Sequence, residues 1–196
     1  MNVYNAIITR RSTRRFSDRE VETEKLEQII TAGRYAPSGG NSQTTHFFVI
    51  KDKAVLNRLA EIAETAFAEM ELYEGIYRSL ASSIMQSKKG GYRFHYNCPV
   101  LIVTANRKDY GNNIADCVSA IENMMILAND LDLGSCYINQ LNWLNENEEV
   151  LKLFRSYGLA ENERIYASLA IGYPETESGL PERRVIERKG NPVTWI

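Results

Sequence analysis

Residues 113–132, NIADCVSAIENMMILANDLD, decide the architecture. Ile114, Ala115, Cys117, Val118, Ile121, Met124, Leu127, Ala128 and Leu131 fall nearly all round a helical wheel. A helix that is apolar on every side is buried on every side. In a domain of 196 residues it lies at the centre or across an interface between two copies. Leu133-Gly134 close the helix, with Gly134 suited to a left-handed cap.

Strands surround it. Cys136–Ile138 forms a short one, and PVLIVTAN (99–106), IYASLAIGYP (165–174) and HFFVI (46–50) are apolar runs of strand length. Pro99 stands at the first strand position, where proline is tolerated. Helices are expected over 3–9, from a Thr23 N-cap to a stop at Pro37, over 53–73, over about 75–87 and over about 146–156. SGGNSQ, SKKGGYRFHYN (87–97) and NQLNWLNEN read as loops. There is no internal repeat and no composition break. Residues 1–196 are therefore expected to form a single α+β domain, with a central, mostly antiparallel sheet flanked by helices.

The hydrophobic share of 44% is that of a chain with a core, and the net charge of −2 gives no general attraction to nucleic acid or anionic membranes. No run approaches the roughly 20 apolar residues of a membrane span. The first nine residues lack a signal-peptide core, so the expected location is cytoplasmic. Cys98, Cys117 and Cys136 are widely spaced within apolar runs and are expected to be buried, reduced thiols. His46 and His95 are too few for a zinc site, so no metal is expected.

Five segments could carry chemistry. Arg10-Arg11-Ser12-Thr13-Arg14-Arg15 places four guanidiniums within six residues, a set that suits a phosphate. The same residues also read as a solvated turn paired with Asp18, Glu20 and Glu22, as a kinase recognition site, or as an RNA-binding patch. Pro37-Ser38-Gly39-Gly40-Asn41-Ser42-Gln43 permits close backbone approach and offers amides that match a heterocycle edge, or it is an ordinary helix-to-strand loop. Ile138-Asn139-Gln140 follows the buried helix and its strand, and Gly172-Tyr173 closes another strand. Arg183, Arg184, Arg188 and Lys189 make a basic tail. G-x-G-x-x-G, G-x-x-x-x-G-K-[ST] and G-x-S-x-G are all absent.

The order of these motifs is more specific than any one of them. R-R-S-x-R-x-F, A-P-S-G-x-N-x-Q, L-G-S-C, I-G-Y-P and a terminal R-K-G-N-x-V-x-W-I together resemble the nitroreductase family of FMN enzymes, from Val3 to Ile196. The resemblance implies a homodimer with FMN at its interface and a C-terminal strand (VTWI) exchanged onto the partner's sheet. By position it assigns Arg10, Arg11 and Ser12 to the FMN phosphate and ribityl chain. Arg14 falls to the pyrimidine end, and Pro37, Ser38, Gly39, Asn41 and Gln43 to the ring, partly from the second subunit. Ile138, Asn139 and Gln140 fall near flavin N5, Gly172 and Tyr173 near the phosphate, and Arg188 with Lys189 at the terminal phosphate position.

No side chain is implied as catalytic: the flavin carries the chemistry, and Arg14 and Asn139 tune it. FMN is implied as tightly bound, NAD(P)H as a transient donor, and a nitroaromatic, quinone or flavin as acceptor. Dehalogenation, flavin cleavage, heterocycle oxidation and a non-catalytic FMN-binding module are the alternatives. The family often has Pro-Trp where this chain has Thr44-Thr45, and an acidic residue or glycine where it has Asn139-Gln140. Both departures bear on the substrate more than on FMN.

Overall fold

A computed structural model describes all 196 residues. Seven α-helices surround one sheet: α1 (Val3–Thr9), α2 (Thr23–Arg34), α3 (Lys53–Glu69), α4 (Arg78–Lys89), α5 (Asn113–Asp130), α6 (Gln140–Trp143) and α7 (Glu148–Arg155). The strands are β1 (His46–Ile50), β2 (Val100–Arg107), β3 (Gly134–Ile138) and β4 (Glu163–Gly172). They lie in the order β1-β2-β4-β3, every pair antiparallel, so β1 and β3 are the edges. The expected α+β architecture is present, with a wholly antiparallel sheet.

Both faces of the sheet are covered, which is why β2 and β4 read as continuous apolar runs. Leu101, Val103 and Ala105 face a core built with α3, α4, α6 and α7. Val100 and Ile102 face a second core built with α2 and α5. A bulge in β4 keeps both faces apolar: Thr104 opposes Ala167 but Ala105 opposes Ile165, so Tyr166 is the extra residue. The slip turns Ile165 to the first core and Tyr166 to the second.

Several helix ends differ from expectation. Thr23 is the first residue of α2 rather than its cap; Glu22 holds that position and makes no side-chain capping bond. The helix expected at 75–87 begins at Arg78, α3 stops at Glu69, and α6 lies inside the stretch read as a polar loop. Side chains do cap elsewhere: Asn2, Asp52 and Asn147 accept backbone N–H bonds at α1, α3 and α7. The end of α5 is a Schellman turn in which Leu133 N–H bonds Ala128 O at 2.8 Å. Asp132, at φ +64°, takes the left-handed place expected of Gly134. Gly134 instead opens β3.

In the single chain α5 is covered by α1, α2 and the sheet but not on every side. Ile114 remains 51% exposed. The apolar surface expected to be wholly buried is thus only partly covered by its own chain.

Candidate functional site

Two cross-strand glycines seat the arginine segment. Gly134 pairs with Gly172 across β3 and β4. A Cβ on Gly134 would lie 2.6 Å from Thr13 Oγ1, and one on Gly172 would lie 2.6 Å from Pro99 and 3.0 Å from Phe16. The missing side chains leave a flat floor on which residues 10–16 lie as a strap. Three backbone bonds tie it down: Thr13 N–H to Ser135 O at 2.9 Å, Ser17 N–H to Tyr173 O at 2.9 Å, and Glu175 N–H to Arg15 O at 3.0 Å.

The arginines of the strap and of the segment just after it split into two groups. Arg15 pairs with Glu175, and Arg19 with Glu22. Arg10, Arg11 and Arg14 form no ion pair, and neither do Arg188 and Lys189 in the tail. Glu22 is thereby removed from the solvated-turn reading of the cluster. Arg11 donates to the carbonyls of Ile8, Arg10 and Arg184. Burial, then the neighbouring cations Arg188, Arg10 and Arg184, push its guanidinium below the ordinary value. Among these charges the one carboxylate is Glu182, itself paired with Arg184. Arg14 stands 5.9 Å over the ring of Tyr96. Burial opposes its charge, but Cys136 and Tyr96 more than offset this and hold it above its ordinary value.

The tail arginines are now distinguishable. Arg183 is clamped by Asn129 and by Asp132 at 2.6 Å. Arg184 pairs with Glu182. Residues 181–196 form no regular structure, and Trp195 is 92% exposed.

Other expected site residues are committed elsewhere. The Tyr173 ring is buried; its hydroxyl donates to Glu22 Oε2 at 2.7 Å, accepts from Lys25 Nζ at 2.8 Å, and Arg19 stacks 3.7 Å from the ring. The phenol bond, ahead of the flanking cations, draws Glu22 down to about 2. The Ile138 side chain is core. Backbone groups alternate in direction along a strand, and Ser135 O points outward to Thr13, so Tyr137 also faces out while Ile138 faces β4. Asn139 accepts from Tyr137 OH at 3.1 Å. Gln140 Nε2 bonds Tyr92 OH at 3.0 Å and Ser83 Oγ at 3.3 Å, on the wall of a polar recess of about 240 Å³ beside Tyr96. Nothing in the sequence marked Tyr96 or Tyr92 as partners of Arg14 and Gln140, because the pairing crosses the chain.

Loop 37–43 sits elsewhere. Ser38 Oγ accepts Gln43 N–H at 3.1 Å, Gln43 Nε2 reaches Asn41 Oδ1 at 3.1 Å, and both amide side chains are exposed. The loop leads into β1 and rests near Asp116 in the first turn of α5. The strap meets the chain just past the other end of α5, at Gly134. With a rise of 1.5 Å per residue, these two groups are roughly 20 Å apart along the helix. One chain does not bring Asn41 and Gln43 to Arg10–Arg14.

The sequence profile described as the Nitroreductase family matches residues 7–173. A crystal structure of a nitroreductase with bound FMN from Bacteroides fragilis NCTC 9343 superposes with a TM-score of 0.85 at 30% identity, over 100% of this chain and 99% of that one. A protein of Archaeoglobus fulgidus, provisionally named NADH dehydrogenase/NAD(P)H nitroreductase, is 29% identical over 90% of this chain and 87% of its own length. Iodotyrosine deiodinase of Hydra vulgaris is 24% identical over 91% of this chain and 67% of its own length.

Proposed function

The chain belongs to the nitroreductase family, and from that premise we propose that it binds FMN between two copies of itself and moves hydride from NADH or NADPH to a small oxidised acceptor. The carrying observation is the excess of cations: Arg11 feels Arg188, Arg10 and Arg184 with only Glu182, already paired to Arg184, set against them, and Arg10, Arg11 and Arg188 form no ion pair. Such a cluster is stable only beside an anion or in open water. Guanidiniums fit the oxygens of a phosphate, so these residues, with Ser12, would hold the FMN phosphate. Arg14 would stand at the pyrimidine end, where a fixed cation favours negative charge on a reduced ring. Exposed amides at Asn41 and Gln43 would meet the ring edge from the second copy, and the backbone at Asn139 would face N5. FMN when bound supplies a two-electron hydride acceptor, so the protein's share is binding, orientation and electrostatics.

The dimer reading rests on three features. The ring loop and the strap lie near opposite ends of α5, so a complete site needs both copies. Ile114 on α5 is left uncovered. The outer edge of β1 is unpaired and borders an apolar groove of about 520 Å³ lined by Val49, Ile50, Val55, Phe154 and Tyr157. A bare edge strand is a template for another strand, and the tail's Val193, Trp195 and Ile196 are exposed and β-prone. The partner's tail would fill this edge.

The test is the visible spectrum of the purified protein, followed by NADH or NADPH without oxygen. A yellow flavin spectrum that bleaches supports the reading; a colourless protein that takes up no added FMN sinks it. A panel of nitroaromatic, quinone, free-flavin and halophenol acceptors then separates reductase from dehalogenase chemistry.

A further inference from the structure

Loop 38–43 is held in a shape that one of its residues, Gln43, resists. Gly40, Asn41 and Gln43 have φ of 59°, 54° and 51°; glycine and asparagine accept this left-handed region readily, glutamine does not. Asp116 in the first turn of α5 and Tyr110 in the loop before it do the holding. Asp116 is a buried carboxylate that accepts Gly39 N–H at 3.2 Å and lies 3.0 Å from Tyr110 OH. The Tyr110 hydroxyl also stands 2.9 Å from Gly39 O and accepts from Ser42 Oγ at 2.9 Å. Both backbone groups of Gly39 are engaged, its N–H by Asp116 and its carbonyl by Ser42 N–H at 3.1 Å, which leaves the one Tyr110 hydroxyl proton for Asp116. There is no slack around it, since a Cβ would lie 2.0 Å from Asn112 Nδ2. Two turns along α5, Asn123 Nδ2 bonds Ala32 O at 3.1 Å and Met124 packs on Gly33, fixing the helix from which the loop departs. Asp116 forms no ion pair, so its charge is met by neutral donors alone. Charge-assisted bonds of this kind are stronger than neutral ones and suited to holding a strained turn.

We infer that Asp116 and Tyr110 are positioning residues for the FMN ring. They lock loop 38–43 before the cofactor arrives, with the Asn41 and Gln43 amides turned out toward it. Neither touches the ligand. They act by removing the ordering cost that a loose loop would add to binding. The inference rests on the FMN reading above.

The test uses Asp116→Asn and Tyr110→Phe in the full-length protein, stripped of flavin and then reloaded. Three quantities are read: hydrogen exchange of the 38–43 amides in the stripped protein, the FMN Kd from fluorescence quenching, and turnover at saturating FMN. Expected are at least ten-fold faster exchange in the loop with unchanged exchange in β2 and β4. The FMN Kd rises ten-fold or more, and kcat stays within two-fold of wild type. Faster loop exchange with an unchanged Kd overturns the inference, as does a raised Kd with unchanged loop exchange. If one variant does not fold, the other decides. A wild-type protein that takes up no FMN overturns the cofactor reading itself, and that is known before any variant is made.

Discussion

Replacing Gly134 with alanine tests whether the glycine pair seats the arginine strap. The new methyl would stand 2.6, 2.7 and 2.8 Å from Oγ1, Cγ2 and Cβ of Thr13. Non-bonded carbon contacts prefer about 3.5–4.0 Å, so the strap must retreat by about 1 Å. Overpacking of this kind costs about 1–3 kcal/mol. The same movement stretches the 2.9 Å bond from Thr13 N–H to Ser135 O beyond hydrogen-bonding range, a further loss of about 1 kcal/mol. The sum is roughly 2–4 kcal/mol. At about 2–4 °C per kcal/mol for a domain of this size, the Tm should fall by roughly 5–15 °C. Thermal denaturation followed by circular dichroism measures it, and an FMN titration on the same sample should show weakened binding, because Arg10–Arg14 move with Thr13. Thr13→Gly in the Gly134→Ala background deletes all three clashing atoms and should recover part of the loss. A Tm and an FMN affinity both unchanged in Gly134→Ala would refute the seating role.

Three other outcomes are expected. Arg11→Ala removes a charged donor from the unpaired cluster and should weaken FMN binding by roughly 10–100-fold, from the ~1.5–3 kcal/mol of a charged hydrogen bond; an unchanged titration would remove Arg11 from the site. Burial lowers His95 to about 4 from its ordinary 6.5. The unfolded chain therefore binds more protons than the folded one between these values, and stability present above pH 6.5 is lost as pH falls toward 4. Urea midpoints should show about 2 kcal/mol less stability at pH 5 than at pH 8 from this group, and His95→Leu should remove that part of the slope. Burial also pushes Cys98 and Cys117 up to about 12, and Cys136 upward, and all three thiols are buried. Ellman's reagent at pH 8 should react only after denaturation, and rapid labelling of native protein would contradict the packing.

The sequence carried the architecture well where the signal is local. The apolar runs of β2 and β4, the wheel of α5 and the order of its motifs were legible because each is a property of neighbouring residues. What escaped reading is non-local. Gly134 and Gly172 each resemble turn glycines, yet they sit opposite one another in the sheet, and only the β3–β4 register reveals the floor they make. Tyr173 lies within a site motif, but its phenol is spent on Glu22 and Lys25, some 150 residues away in sequence. Arg183, Arg184 and Arg188 are equivalent on paper; Asp132 and Glu182 separate them by claiming the first two. Thr23 had the chemistry of a helix cap, and the helix simply starts one residue earlier than that role requires.

The strand order has a consequence for how the molecule is made. β4 is central, yet it is the last strand to leave the ribosome, and it alone joins β2 to β3. Until residue 163 and its successors emerge, the nascent chain holds a β1–β2 pair and an unattached β3, each with an open apolar margin. Translation at about 5–20 residues per second leaves those margins bare for seconds after β2 is complete. Closure is therefore a late, long-range event, and a chain cut before residue 163 keeps at most the β1–β2 pair, with β3 left unattached.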